Sequence, residues 1–444
     1  MNRTICPLVL AAAFLIQPPV GQTGFIDKTG KLVVEARYAA ALDFSGGLAA
    51  VRVGAKCGYI DREGKEKIPL KFDDAKRFRE QRAAVKVGEK WGFIDTEGTW
   101  VVEPIYLQAS SFSEGLAAVQ LAAVGPNETG TTEAKTKVYR KGTTVLRVSR
   151  ASAPKAAGGW GYIDTAGKLV IPHQFVAVQD FSNGLAMVRP RGGKSIWMSD
   201  AEVAELDKRG MDYVMERFVF FADNAFEAAG YIDKTGTMVI PPRFSTAVSF
   251  REGLAYVEQF TNVNVTLRGY IDTTGKPVIE LARNAVRPPM EIGVESLLQL
   301  NQIRFDDPIG LIPAEPGPIA HKDGLALVDS GTGFVHAPKW TYVDTSGKVI
   351  VENVGEFSSS FSEGLAAVGK GGFSRGKTGY VDRTGKFVIP CQYDAGGHFS
   401  EGLAPVLVGK RWGYIDPSGK VLIDTRFEKA ASFSEGLARV TLPK

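Results

Sequence analysis

The chain predicts an all-β protein: a tandem array of about nine three-stranded antiparallel β-meander repeats with short helical insertions. The array is expected to be elongated and solenoid-like, with a closed propeller-like ring as the alternative. Three observations carry this. An Asp-x-x-Gly turn recurs nine times, from Asp27, Asp61, Asp95, Asp164, Asp233, Asp272, Asp344, Asp382 and Asp416. A phenylalanine follows 17 residues later in eight of the nine copies, at Phe44, Phe78, Phe112, Phe181, Phe250, Phe361, Phe399 and Phe433. Short apolar runs with a period of two flank every turn, as in Phe93-Ile94 and Val101-Val102.

Each element has a local reason. Aspartate accepts backbone amides at the start of a turn and glycine tolerates positive φ at its end, so Asp-x-x-Gly between apolar runs reads as a β-hairpin. An aromatic stands 11 residues after the aspartate in seven copies, among them Tyr38, Phe72, Tyr106 and Tyr393. Then comes Phe-Ser-Glu-Gly-Leu-Ala-Ala-Val. Copies join through Gly-x pairs, as in Val85–Phe93, Val51–Tyr59 and Val406–Tyr414, where glycine first suits a type II′ turn. At period two, Trp91 and Phe93 share one face, and Gly92 and Ile94 the other. A 34-residue unit buries too little apolar surface to stand alone, so neighbouring copies must supply the rest.

These motifs resemble the WG (or KWG) repeat family, a β-rich bacterial repeat, over residues 23–444. Lys90-Trp91-Gly92-Phe93-Ile94-Asp95, Arg411-Trp412-Gly413-Tyr414-Ile415-Asp416 and Trp160-Gly161 carry the resemblance. Cys57, Ala229, Arg268 and Thr378 depart from it at the tryptophan position, Thr341 at the glycine after Trp340, and His321 where phenylalanine would stand. The resemblance implies a binding or scaffolding role and brings no catalytic residues.

The organisation follows from the copies. Residues 1–22 read as a signal peptide: Arg3, then an apolar run from Ile5 to Ile16 too short to span a bilayer. That makes a periplasmic or extracellular protein the expectation. Repeats 1–3 occupy 23–119, an insertion 120–159, repeat 4 160–188, a helical insertion 189–229, and repeats 5–6 230–328 with an internal helical insertion at about 276–318. Repeats 7–9 occupy 340–444. Within the first insertion, Lys135–Val148 reads as a hairpin or ordered loop. Helices are expected near Ser199–Met215 and Glu291–Phe305. The last repeat has no capping segment, so a partner or self-association is expected at the array's end.

The candidate chemistry is sparse. The formal charge of +4 is too dispersed to argue for nucleic acid. Single turn carboxylates suit capping better than calcium, which wants six to eight oxygens. Lysine follows the turn glycine at Lys31, Lys65, Lys168, Lys276, Lys348, Lys386 and Lys420. A row of them offers an acidic polymer a binding line, offset by acids such as Glu114, Glu363 and Glu401. The Trp and Tyr/Phe positions read as core rather than a ligand strip. His173, His321, His336 and His398 are scattered, with no metal-ligand spacing. Cys57 and Cys391, in copies two and eight, read as buried thiols. No catalytic, cofactor or metal residue is assigned. The sequence favours a non-catalytic scaffold for a protein or polymer partner. The alternatives are an enzyme built from the insertions at 189–229 and 276–318, or a self-assembling structural protein.

Overall fold

The computed structural model describes residues 22–121, 136–141, 144–149, 159–190, 208, 228–261, 264–280, 319–322, 324–329, 340–352, 357–370 and 376–443. The stretch read as a signal peptide and most of the two insertions expected to be helical lie outside these residues; within the first of those insertions Lys208 is helical and exposed.

The repeating unit is a four-stranded antiparallel sheet, one strand more than the sequence suggests. Blade one shows the pattern: Ala40–Ala41, Ala49–Val53, Lys56–Ile60 and Glu66–Phe72, paired in that order. The added strand is the two-residue piece between the aromatic and the phenylalanine. Seven sheets have four strands. An eighth has seven, because Leu169–Val178 runs unbroken from the outer edge of blade three into the inner edge of blade four. The described residues therefore build nine blades, beginning at Ala40 (one), Asp74 (two), Gln108 (three), Ala177 (four), Thr246 (five), Ile319 (six), Phe357 (seven), Ala395 (eight) and Lys429 (nine).

Blade nine closes a ring. Its inner strands are Lys429–Ala430 and Ala438–Thr441; its outer strands are Thr23–Ile26 and Leu32–Tyr38. Thr23 pairs with Thr441, Gly24 with Val440, Phe25 with Arg439 and Ile26 with Ala438. The expectation of an open, elongated stack gives way to the closed alternative. The C-terminal strand, paired on both sides, is not an uncovered end.

The cores lie between blades, because both faces of every inner strand are covered. In blade two, Trp91 and Phe93 pack with Phe112 and Ile163 of blade three, while Ile94 packs with Tyr59 and Phe72 of blade one. Trp91, Trp160 and Trp412 are all buried, so the tryptophan slot is core as expected. The Ala-Ala pair near the start of the second strand in blades one, two, three and seven lets neighbouring blades approach closely; Ala49 and Ala50 are buried on opposite faces.

The glycine of Trp-Gly has a steric cause. A Cβ on Gly92 would stand 2.5 Å from the Val102 carbonyl oxygen, where the outer strand bulges against it. In blade six the pairing of that strand among the described residues reaches Val351, beside Tyr342, and Thr341 replaces the glycine there. The Gly-x hairpins are type II′, with positive φ at Gly54, Gly88 and Gly409 alone of each pair.

The turns fall on two faces. Asp-x-x-Gly and Phe-Ser-Glu-Gly turns share one face; Gly-x hairpins and blade-to-blade links share the other. The chain leaves for residues 122–158 between the paired Leu121 and Gly159, and for 191–227 beyond the paired Val188 and Gly230, both on the hairpin face. It leaves for 281–318 at the link from blade five to blade six, on that same face. Within the first insertion, Thr136–Lys141 and Thr144–Ser149 form the expected hairpin.

A candidate recognition site on the inner rim

The turn aspartates cap their own turns. Asp27 Oδ1 accepts the Thr29 amide at 2.9 Å, the Thr29 hydroxyl at 2.6 Å and the Lys31 amide at 3.0 Å. The hydroxyl bond is the main reason the Asp27 carboxyl sits below its usual range, and Asp233, Asp272, Asp344, Asp382 and Asp416 follow the same rule with Thr235, Thr274, Ser346, Thr384 and Ser418. Among the described residues, no three His, Cys, Asp or Glu side chains gather as metal ligands. The seven lysines after these turns are all exposed, one at the same place on each of seven blades, and form an arc on the turn face.

The fixed 17-residue spacing turns out to be a contact between blades. Tyr59 of blade one donates its hydroxyl to the Lys76 carbonyl of blade two at 2.7 Å; Tyr162, Tyr231, Tyr380 and Tyr414 repeat this 17 residues on. The same ring packs on the next blade's phenylalanine, with centroids 4.8 Å apart for Tyr59–Phe78 and for Phe25–Phe44. The serine of the Phe-Ser-Glu-Gly turn reaches forward too: Ser45 Oγ donates to the Phe78 carbonyl at 2.7 Å and Ser434 Oγ to that of Phe44 at 2.9 Å.

The glutamate of this turn makes a third link, which the sequence reading missed. It reaches forward to cap the next blade's turn. Glu435 accepts the Gly46 amide at 2.7 Å and the Gly47 amide at 3.0 Å, and takes Arg62 at 2.9 Å. Glu363 accepts the Glu401 and Gly402 amides at 2.6 and 2.9 Å. Glu80, Glu114, Glu252 and Glu401 cap the next turn likewise, and Asn183 does so through its amide oxygen. Burial raises the Glu435 carboxyl, but the bonds from Arg62, Gly47 and Gly46 outweigh it and hold it below its ordinary value. These residues have positive φ throughout, which aims the side chain along the ring.

The series breaks between blades one and two. Blade one carries Gly46 in the glutamate position, so no side chain reaches forward. Blade two reads Phe78-Arg79-Glu80-Gln81-Arg82 where the repeat has Phe-Ser-Glu-Gly-Leu. Gln81 replaces glycine yet keeps φ at 62°, beside Glu80 at 51°. A left-handed conformation costs about 1–2 kcal/mol for a residue with a side chain, and such strain concentrates at functional positions. A cavity of about 290 Å³ opens here, lined by Ser45, Gly46, Phe78, Arg79, Glu80, Gln81, Thr96, Phe112 and Ser113.

The inner wall near this cavity is charged. Asp43 accepts from Arg77 at 2.7 Å and from Arg439 at 3.2 Å. Lys76 donates to the Ala109 carbonyl at 2.7 Å and lies over the Trp91 ring. Burial lowers the Lys76 ammonium and raises the Asp180 carboxyl; Ser110 hydrogen-bonds the latter, and the positive charges of Lys76 and Arg79 act on it. On the other side of the ring the residues before the phenylalanines are small and polar, as at Ser249 and Ser360.

The remaining sequence candidates lie elsewhere. His173 is half-buried, and burial lowers its imidazole. His398 lies on the inner rim of blade eight; the side chains of His321 and His336 fall outside the described residues. Cys57 and Cys391 are not joined in a disulfide; Cys57 is buried as expected and Cys391 half-buried, and burial pushes the Cys57 thiol up to about 12.

The family described as WG containing repeat matches residues 24–57, 58–91, 91–122, 160–194, 230–259, 340–372, 379–412 and 412–442. No curated protein matches the chain. Among solved structures, a eukaryotic initiation factor is similar at 11% identity, covering 95% of this chain and 99% of that one with a TM-score of 0.52; at that identity the likeness concerns the fold alone. A quinoprotein alcohol dehydrogenase-like protein from Bacteroides thetaiotaomicron covers 96% of this chain and 91% of its own at 10% identity and a TM-score of 0.28. The tricorn protease covers 88% of this chain and 40% of its own at 12% identity and a TM-score of 0.21.

Proposed function

We propose that this chain, which belongs to the family of WG-containing repeats, is a non-catalytic exported scaffold that presents a ring surface to a protein or acidic polymer. What supports the reading is how the chain divides its labour. The turn face carries the bonds that hold blades together, beside its exposed lysines. All three long additions to the repeat leave and return on the hairpin face, where they can distinguish one partner from another without disturbing the ring. Export rests on Arg3 and the apolar run that follows it. The arc from Lys31 to Lys420 suits an acidic polymer, because like charges on a line add their fields.

Two experiments test this. Deleting residues 199–226 shortens the connection between the paired strands Leu185–Pro190 and Ala229–Asp233. The expected result is a folded ring that no longer retains its partner in a pull-down from the host's envelope fraction; lost turnover in an activity screen, with capture intact, would favour an enzyme. Replacing Lys31, Lys65, Lys386 and Lys420 by glutamine weakens salt-sensitive binding to a heparin column; unchanged elution would remove the acidic polymer from the proposal.

A further inference from the structure

We propose that the junction of blades one and two is a carboxylate-binding site, which takes the carboxylate of an external ligand where other junctions hold a glutamate side chain. This goes beyond the scaffold reading and needs neither export nor the lysine arc.

The argument is one of substitution within the ring. At the junction of blades seven and eight, the amides of residues 401 and 402 point at the Glu363 carboxylate; at blades nine and one, those of residues 46 and 47 point at Glu435. The matching amides in blade two belong to Glu80 and Gln81. Both residues keep the left-handed backbone that aims such amides, and among the described residues no acceptor reaches either one. Two adjacent turn amides pointing one way form an anion-binding concavity. The side chain that would fill it is missing because residue 46 is glycine, and the cavity of about 290 Å³ lies there, with Gly46, Glu80 and Gln81 in its wall.

The surroundings suit a carboxylate brought from outside. Arg79 lines the cavity where most blades have serine, adding a cation. Thr96 lines it at the position from which Arg62 and Lys234 reach the resident glutamates Glu435 and Glu114, and offers a hydroxyl donor. The one carboxylate in the wall, Glu80, is turned to the next junction, where it accepts the Gly115 amide at 2.9 Å. The ligand chemistry is that of a glutamyl side chain: a carboxylate on a short aliphatic stem, supplied either by a small dicarboxylate or by an acidic residue of a peptide.

Substitution of Gly46 tests this directly. A Cβ on Gly46 meets nothing closer than Phe78 Cβ at 3.6 Å, and glutamates hold the same conformation in six other blades, so Gly46→Glu installs the resident carboxylate without a clash. Full-length protein is titrated by calorimetry with glutarate, with its neutral analogue glutaramide, and with an end-blocked tetrapeptide containing one glutamate. The wild type is expected to bind glutarate or the peptide saturably and glutaramide not at all; whichever acid binds more tightly identifies the source. Gly46→Glu is expected to abolish this binding, Arg79→Gln to weaken it about tenfold through loss of a charge-assisted contact, and Glu435→Gln to leave it unchanged. No binding of either acid by the wild type, equal binding by folded Gly46→Glu, or binding indifferent to Arg79→Gln would each overturn the proposal.

Discussion

Two neighbouring junctions, blades nine to one and one to two, differ at the turn cap, besides the hydroxyl that Tyr59 carries and Phe25 lacks. Both stack an aromatic on the next blade's phenylalanine at 4.8 Å, and both send a serine hydroxyl to that phenylalanine's carbonyl. Only the first adds a carboxylate over the next turn's amides, and only beside the second does the rim open into the cavity. The aromatic and serine contacts are therefore enough to set the spacing of the blades. The glutamate is a separable fitting, so one position can be freed for another use without losing the ring.

The largest effect expected from breaking this comparison concerns backbone packing that all junctions rely on. A Cβ on Gly24 would stand 2.5 Å from the Val34 carbonyl oxygen and 2.7 Å from the Ala36 nitrogen, inside the blade that closes the ring. Gly24→Val should cost about 3 kcal/mol or more in urea unfolding, whereas Gly46→Ala, which meets open space and only the cost of a left-handed backbone, should lose about 1–2 kcal/mol. Next comes the buried tyrosine bond. Tyr414→Phe strips the donor from the Ala431 carbonyl and should cost about 1–2 kcal/mol; the ring tolerates phenylalanine natively at Phe25 and Phe93, so the fold itself should survive.

The carboxylate cap sharpens the comparison in both directions. Glu435→Gln should lose about 1 kcal/mol, whereas in Gly46→Glu the new cap offsets the about 1–2 kcal/mol cost of a left-handed residue with a side chain, so its stability should stay within about 1 kcal/mol of wild type. The smallest effect is in pH. The Glu435 carboxyl is lowered in the folded ring, so its contribution is complete above the unfolded value of about 4.3 and is lost as pH falls through the folded one. The stability gap between wild type and Glu435→Gln should hold from pH 7 to about 5 and close below about 4. A gap that widens in acid would mean that the carboxylate is not acting as an ionised cap.

Much of this was legible in the sequence, for reasons that also mark where legibility stopped. Asp27-x-x-Gly30 announces its turn because the chemistry is local. The tryptophan slot announces core because alternation places Trp91 beside Phe93 on one face. The fourth strand did not show, since Ala40–Ala41 is two residues long and carries no period. Closure did not show either: Thr23–Ile26 and Ala438–Thr441 lie at opposite ends of the chain, and neither segment alone reveals its partner. The inner-rim site had a signal that was passed over, the Arg79, Gln81 and Arg82 substitutions in blade two and Gly46 in blade one. It becomes meaningful only once glutamates such as Glu363, read from sequence as charges offsetting lysines, are seen to cap the neighbouring blade.

The account depends on the ring being closed, and blade nine is where that is decided. Thr23 and Thr441 face each other across the closing strands, with hydroxyl oxygens 3.3 Å apart and their Cα atoms in register. Cross-strand neighbours of this kind lie within disulfide reach. In the double variant Thr23→Cys/Thr441→Cys, mild oxidation followed by peptide mapping should find the two ends of the folded chain joined in one disulfide, with a higher melting temperature than the reduced form. Free thiols at both positions in oxidised, fully folded protein would contradict closure, and with it the blade-to-blade logic of the rim.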